Sequence, residues 1–506
     1  MAQQMPSIGV PPNGLPLARA RQLAFIPQVL FPPFAVATLL WVTSPFQQTG
    51  VHLATTFALL LMPWLAYQKW TRGEKRVFPL FVLVGGMMCL AFVPPLYWGE
   101  WQLGTSLGLR VFRAESLEMP LLLATCGVAC LWAGMSLGLG RRLRLPFGVG
   151  VARSAFARNY LRVILVIGMA TNAFSQFVLG EGGRQIVVIF QTVIPVAAFA
   201  LLYHRYLRGE ADRPDKLLLA GFVLVKFVVG LSVGWLGAAA GFMIVVLAVY
   251  LYERHKMPTR VVLIVLLLIF FLQPAKNEFR RTFWYGHSDA GVLARADFWL
   301  TKAAHTWGKA IEDPAETREL LQSIVHRLSL LEQSANVMEL TPSIVPYQRG
   351  ALYSYLAVTL IPRFLWPDKP SMNDANRWYQ VSYGINPKGQ LHKVSMAVGT
   401  ITESYISFGW LGPVLIILPL GILLDFIVYS FLHQDSGLML NAIGIALVPH
   451  LITVESQMAQ YLAGLIQATV MAVLIFLPAT VRLSRRRSQP SPLFTPASAE
   501  SRFSTG

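Results

Sequence analysis

The sequence predicts an all-α polytopic membrane protein with about twelve transmembrane helices and one large extracytoplasmic loop. Three observations lead to this fold class. Hydrophobic residues fill 55% of the 506 positions and charged residues only 13%, which is too little charge for a soluble domain of this size. Apolar runs long enough to cross a bilayer recur along the chain. Basic residues concentrate in alternate connections between these runs.

The predicted elements follow one another in five sections. Residues 1–18 are rich in Pro, Gly and Gln and predict a disordered cytoplasmic N-terminus, and residues 19–273 predict a membrane domain with nine spans. A loop over 274–405, three further spans over 406–480 and a basic, Ser/Pro-rich cytoplasmic tail over 481–506 complete the chain. The predicted spans are 24–43, 53–67, 78–97, 119–138, 161–179, 185–203, 217–236, 238–252, 259–273, 410–432, 437–454 and 459–479.

Charge placement gives these spans an orientation. The chain has 42 Lys and Arg against 25 Asp and Glu, a net charge of +17. With the N-terminus inside, the inner segments are strongly basic, as in 141–162 and 482–487, while the short outer loops hold only Arg110, Arg113 and Arg184. Both termini are therefore predicted to be cytoplasmic. The excess positive charge then reflects membrane topology, and we expect no nucleic-acid partner.

The loop over residues 274–405 is predicted to carry the functional site, because it is far longer than an ordinary connection. Asp313 as N-cap and Pro314 at the first helical position predict a helix that continues to residue 340. The apolar stretch 351–367 is too short to span before Pro362 interrupts it. It could lie along the interface or enter the outer leaflet as a re-entrant segment.

The residue types in the loop favour recognition of a diphosphate without a metal. The chain contains no phosphate loop, no His-Glu-x-x-His and no Asp-x-Asp. Guanidinium groups bind phosphate in a bidentate manner and stabilise charge on a departing group. Each could instead pair with a carboxylate or anchor to a lipid headgroup. The candidate ligands are Arg280, Arg281, Arg295, Arg327, Arg349, Arg363 and Lys369, and the candidates for sugar stacking are Trp284, Trp366 and Trp378.

One lysine lies inside a predicted span. Lys226 is ten residues from Lys216, or about 15 Å along a helix, which places it near the bilayer midplane. A charge at that depth is costly and indicates function, here a pair with Asp425 or a contact to a polyprenyl diphosphate. A neutral or snorkelling lysine is the alternative.

Several strings resemble the bacterial Wzy-type oligosaccharide repeat-unit polymerases of the O-antigen polymerase and ligase superfamily. The matching features are the helix that bears Arg327, then Gly350, the segment "PRFLWPDKP" at 362–370, and "ESYISFG" with Glu403 and Tyr405. The resemblance adds Tyr405 to the substrate-binding candidates. It implies a metal-independent membrane glycosyltransferase of the bacterial inner membrane that needs no cofactor.

The resemblance also implies a reaction. Repeat units linked to undecaprenyl diphosphate would be polymerised outside the cytoplasm, for O-antigen, capsule or exopolysaccharide. Membrane lipid and a chain-length co-polymerase are the expected partners. An acceptor hydroxyl needs a general base. Glu403 is the first candidate, because burial would raise its pKa, and His287 is the second. Glu403 could instead be an N-cap or a partner of Arg363, and His287 a solvated loop residue.

Three other functions stay open from the sequence. An O-antigen ligase would share the fold and the donor but would deliver the glycan to a lipid core. A flippase for lipid-linked oligosaccharide would favour paired repeats and midplane polar residues, of which only Lys226 is seen. A non-catalytic protein of a polysaccharide export complex is the third.

Overall fold

The computed structural model describes residues 15–73, 77–174, 181–233, 236–285, 290–361, 366, 368–371, 373–391, 395–453 and 455–484, which are mostly helical. In this described part of the chain, ten α-helices precede the long loop: α1 (Leu15–Thr43), α2 (Gly50–Arg72), α3 (Leu80–Trp98), α4 (Ala114–Ser136), α5 (Leu139–Leu143), α6 (Ala155–Phe174), α7 (Glu181–Leu207), α8 (Arg213–Val233), α9 (Leu236–Arg254) and α10 (Thr259–Leu272).

Within the described residues, the loop and the C-terminal section contain ten more α-helices, and four short strands occur elsewhere in the chain and at its described C-terminal end. The loop helices are α11 (Ala275–Arg280), α12 (Val292–Glu312), α13 (Pro314–Leu328), α14 (Leu331–Leu340), α15 (Ser354–Leu360), α16 (Asn373–Ser382) and α17 (Thr400–Phe408). The last three are α18 (Leu418–Phe431), α19 (Leu438–Leu451) and α20 (Met458–Phe476). Two antiparallel pairs join β1 (Gln102–Thr105) to β2 (Gly108–Val111) and β3 (Phe147–Val151) to β4 (Thr480–Ser484).

Each of the twelve predicted spans coincides with one of these helices. Among the described residues, five helical stretches are long and apolar enough to cross a membrane, and four shorter apolar helices accompany them. The five are Gly50–Arg72, Leu80–Trp98, Ala114–Ser136, Pro413–Phe431 and Met458–Ala479. The existence of the helices is therefore confirmed, while crossing by all twelve stays a prediction.

The two ends of the helix bundle contact different connections. At one end, β3 pairs with β4, and Val77 forms a bridge with His433. At the other end, Leu330 N donates to Ala91 O at 3.0 Å, and Gly399 N donates to Glu455 O at 3.1 Å. The alternation of segments between two sides agrees with the charge pattern. Which side faces the cytoplasm stays a prediction.

The helix predicted over 313–340 forms in two pieces. Asp313 caps α13 as predicted, since its Oδ1 accepts from Ala315 N at 2.8 Å. The chain then turns extended at Ser329, whose hydroxyl accepts from Leu331 N at 3.1 Å and starts α14. The tertiary bond from Leu330 to α3 fixes this break, so the prediction of one continuous helix is wrong.

Helices α4 and α18 cross at very close range, and α4 also contacts the start of α17. A Cβ on Gly421 would lie 2.4 Å from Leu131 O and 3.0 Å from Gly134 Cα, so only glycine fits. Small residues at such crossings let two backbones approach in membrane proteins. Gly127, two turns before Gly134 on α4, is covered by the side chain of Ile401 at the start of α17.

Candidate functional site

Glu403 lies in the first turn of α17 and has no exposed surface. Its Oε2 accepts a hydrogen bond from the backbone N of Met458 at 2.6 Å, so the carboxyl caps the first turn of α20. Oε1 has no hydrogen-bond partner among the described residues. Burial raises the pKa of Glu403 to about 8, while the Met458 N–H acts in the opposite direction. The side chain is therefore mostly a neutral acid at pH 7.

Other polar groups surround this acid. Both side-chain polar atoms of Gln457 are buried without a hydrogen bond within the described part of the chain. Burial first, and then the charge of Glu403, raise the pKa of Tyr353, whose hydroxyl lies beside that of Ser407. Buried polar groups are nearly always satisfied in folded proteins. Unsatisfied atoms around a single carboxyl therefore indicate a place that receives a water molecule or a polar ligand group.

A cationic cluster lies at the same end of the bundle as the acid. Lys276 in α11 is 7% exposed, and its pKa falls to about 8, first through burial and then through the neighbouring charges of Arg327 and Arg280. Glu455 acts in the opposite direction on the same ammonium. The backbone O of Glu455 holds Gly399, immediately before α17. The cluster of Lys276, Arg280 and Arg327 therefore lies at the same end of the bundle as Glu403.

A second buried acid, Glu332, starts α14. It is 1% exposed, its Oε2 accepts from the Ser329 hydroxyl, and burial is the main cause of its raised pKa. Helix α14 is joined to α17 by a hydrogen bond of 2.7 Å between the hydroxyls of Ser334 and Thr402. Two neighbouring helices thus each bury one carboxyl group.

Two of the predicted diphosphate ligands have structural partners instead. The Lys369 ammonium donates to Ile361 O at 2.6 Å and to Val358 O at 3.3 Å, and so binds the last carbonyls of α15. Arg295 donates to the carbonyls of Ala290 and Ser232 at 2.9 and 3.3 Å and lies over the Phe283 ring. These contacts fix α15 and the start of α12.

Three other ligand candidates lie on or near the site. Arg349 has a positive φ of 47° and an exposed side chain, and its backbone N donates to Ser407 O at 2.9 Å, which places it at the end of α17. Tyr405 is buried on α17, and its ring meets those of Tyr347 and Trp410 at 6.0 Å. Arg281 is exposed at the start of a π-helical turn that ends at Tyr285.

The stacking candidates and Lys226 are placed elsewhere. Trp366 is 41% exposed, and Trp378 packs edge-on against Tyr383. Trp284 belongs to the π-helical turn over Arg281–Tyr285. The Lys226 ammonium lies 5.5 Å from the centre of the Phe222 ring. Its suggested partner, Asp425, accepts a hydrogen bond from the backbone of Arg141, and His287 and Arg363 lie outside the described residues.

Sequence reasoning missed Lys276, Glu332, Tyr353 and Gln457. Only Lys276 left a usable signal, because it stands four residues before Arg280 and shares its helix face. The other three are identified by burial and by contacts between segments far apart in the sequence.

Comparison with known families gives one match. The model of a domain of unknown function, DUF8712, matches residues 127–433. The chain belongs to this family. The matched region runs from α4 to the end of α18 and contains Glu403, Lys276, Arg280 and Arg327. No curated protein and no solved structure matches the chain.

Proposed function

We propose that this protein is a metal-independent membrane glycosyltransferase that polymerises oligosaccharide repeat units carried on polyprenyl diphosphate. The observation that carries the proposal is the fully buried Glu403, with one carboxyl oxygen unpartnered among the described residues, at the same end of the bundle as the cluster of Lys276, Arg280 and Arg327. A glycosyl transfer from a lipid diphosphate needs these two parts, a base for the acceptor and cations for the leaving group.

The proposed reaction transfers the glycan from the lipid diphosphate to an acceptor hydroxyl group. The acceptor hydroxyl oxygen attacks the anomeric carbon of the donor, and the bond from that carbon to the diphosphate oxygen breaks. The lipid diphosphate leaves with the bonding electron pair, and its charge is stabilised by the cationic cluster. The hydroxyl proton passes to the ionised form of Glu403. A carboxyl group with a pKa of about 8 is a stronger base than an ordinary carboxylate.

Access to Glu403 requires movement. The carboxyl group has no exposed surface and is covered by α17 and the start of α20. The acceptor can therefore reach it only when residues 455–458 or the turn at Tyr353 shift. Lid movements of this kind are common in enzymes that exclude water from the reacting centre.

The test is a deletion strain complemented with variants, in which the surface glycan is examined. Wild-type protein should restore long polymer, whereas Glu403→Gln should leave single repeats at unchanged protein level in the membrane. Glutamine keeps an oxygen for Met458 N but cannot take up the proton. Arg327→Ala should also shorten the polymer. Glu312→Gln, at an exposed carboxyl group, is the matched control.

Other results would remove the proposal. Long polymer in the Glu403→Gln strain would exclude Glu403 as the base. Free, unattached polymer in the deletion strain would indicate a ligase, and lipid-linked repeats held inside the cell would indicate a flippase. With purified protein, the polymerisation rate should rise as the pH passes through about 8 and level off above it, because only the ionised carboxyl acts as the base.

A further inference from the structure

A second basic site lies at the other end of the bundle. A pocket of about 510 Å³ is lined by Leu137, Gly138, Arg141, Arg142 and Arg144. None of the described acidic side chains lines it. The pocket lies on the side of the bundle that holds β3 and β4, which the charge pattern predicts to be cytoplasmic.

The backbone that carries these arginines is held firmly in place. Gly138 adopts a positive φ of 68° and turns the chain between α4 and α5. A Cβ on Gly140 would lie 2.2 Å from the backbone N of Phe426, so α5 rests directly on α18. The buried carboxylate of Asp425 accepts the backbone N–H of Arg141 at 2.9 Å. Two helix contacts therefore fix the direction in which the arginines leave the backbone.

The three guanidinium groups have no ion-pair partner among the described residues. Arg141 lies 5.4 Å from the centre of the Tyr429 ring, which shields one face and leaves its N–H edge available. The negative charge of Asp425 acts on Arg141. The three arginines still leave an excess of positive charge around the concavity, which a bound anion would balance. Phosphate oxygens match the planar N–H fork of arginine in a bidentate way.

Apolar side chains beside the pocket indicate which phosphate compound binds. Leu137 is 54% exposed, Leu139 40% and Leu143 69%, although all three belong to or adjoin the same short helix. Such exposure next to arginines suits the boundary between headgroups and acyl chains. We propose that this pocket binds the phosphate of an anionic phospholipid, with acyl chains against the exposed leucines. The proposal is independent of the glycosyltransferase reaction.

The experiment compares lipid retention by native mass spectrometry of the purified full-length protein. Phosphatidylglycerol should be retained and phosphatidylcholine should not. The double variant Arg141→Gln, Arg142→Gln should retain about tenfold less phosphatidylglycerol, since loss of charge-assisted hydrogen bonds is worth at least one factor of ten. The double variant Lys256→Gln, Arg260→Gln removes two exposed charges outside the pocket and should bind as the wild type does.

Several results would overturn the proposal. Equal retention in the pocket variant and the wild type would exclude the arginines as ligands. Equal loss in the control variant would show a diffuse charge effect. Displacement by glycerol 3-phosphate at the same concentration would assign the pocket to a soluble phosphate compound. If the double variant does not fold, Arg144→Gln alone, checked by gel filtration, should still lower retention severalfold.

Discussion

The pH dependence of stability tests the assignment of Glu403 as a buried neutral acid. The pKa of this carboxyl is about 8 in the folded protein against an ordinary value of 4.5. The folded state therefore holds a proton that the unfolded state releases. Stability contributed by this group is fully present below pH 4.5 and is lost as the pH rises through 8. Glu403→Gln removes the proton exchange while it keeps the shape and an acceptor for Met458 N.

The magnitude follows from the two pKa values. Between about pH 5 and pH 9, proton linkage at Glu403 lowers the free energy of unfolding of the wild type by about 4 kcal/mol. In Glu403→Gln this part of the slope should vanish. Between pH 5 and pH 9, the free energy of unfolding should therefore fall less in the variant than in the wild type. The difference in stability between the two proteins should shift in favour of the variant as the pH rises.

The assay is unfolding by SDS in mixed micelles, followed by tryptophan fluorescence at several pH values. Glu312→Gln, at an exposed carboxyl, should keep the wild-type slope. Identical slopes for Glu403→Gln and the wild type would refute the assignment. Identical slopes would mean that Glu403 is ionised in both the folded and the unfolded state over this range, so that it exchanges no proton on unfolding.

Two further predictions concern the fold. Gly421→Val places side-chain atoms against Leu131 O and Gly134, and should lower the free energy of unfolding by about 1–3 kcal/mol or more. The control is Gly86→Val, where nothing lies within 4 Å of an added Cβ. The second prediction uses a protein without its natural cysteines. Leu107→Cys, at a 96% exposed position, should react with an impermeant thiol reagent in intact cells, whereas Leu143→Cys should react only after permeabilisation. The reverse pattern would show that the predicted orientation is inverted.

The helices were predictable because the physical constraint on them is local. A bilayer requires about 20 apolar residues in one helix, so run length alone locates most elements. The cap at Asp313 is equally local, and the structure confirms it. The break at Ser329 was not predictable, because it depends on a bond from Leu330 to a carbonyl in α3, more than two hundred residues earlier.

In the candidate site, too, local signals could be predicted from the sequence and long-range contacts could not. Glu403 could be singled out as a candidate because a lone carboxyl in an apolar run predicts a perturbed pKa. Its side chain accepts a hydrogen bond at the start of α20, a contact that the sequence did not indicate. Lys369 has the charge expected of a phosphate ligand, but its ammonium donates a hydrogen bond to Ile361 O at the end of α15. Lys276 was missed because its importance comes from Arg327, about fifty residues away, and from Glu455 beyond the loop.

Two opposing effects set the pKa of Glu403, and this pKa should depend on ligand binding at Lys276. The positive end of α20 favours the carboxylate, burial favours the acid, and burial is the larger effect. A dianionic group bound at Lys276 would add negative potential and raise this pKa further. By reciprocity, protonation of Glu403 would strengthen binding of that group. Pyrophosphate should therefore bind more tightly at pH 6 than at pH 9, and Glu403→Gln should remove the part of this dependence that comes from Glu403.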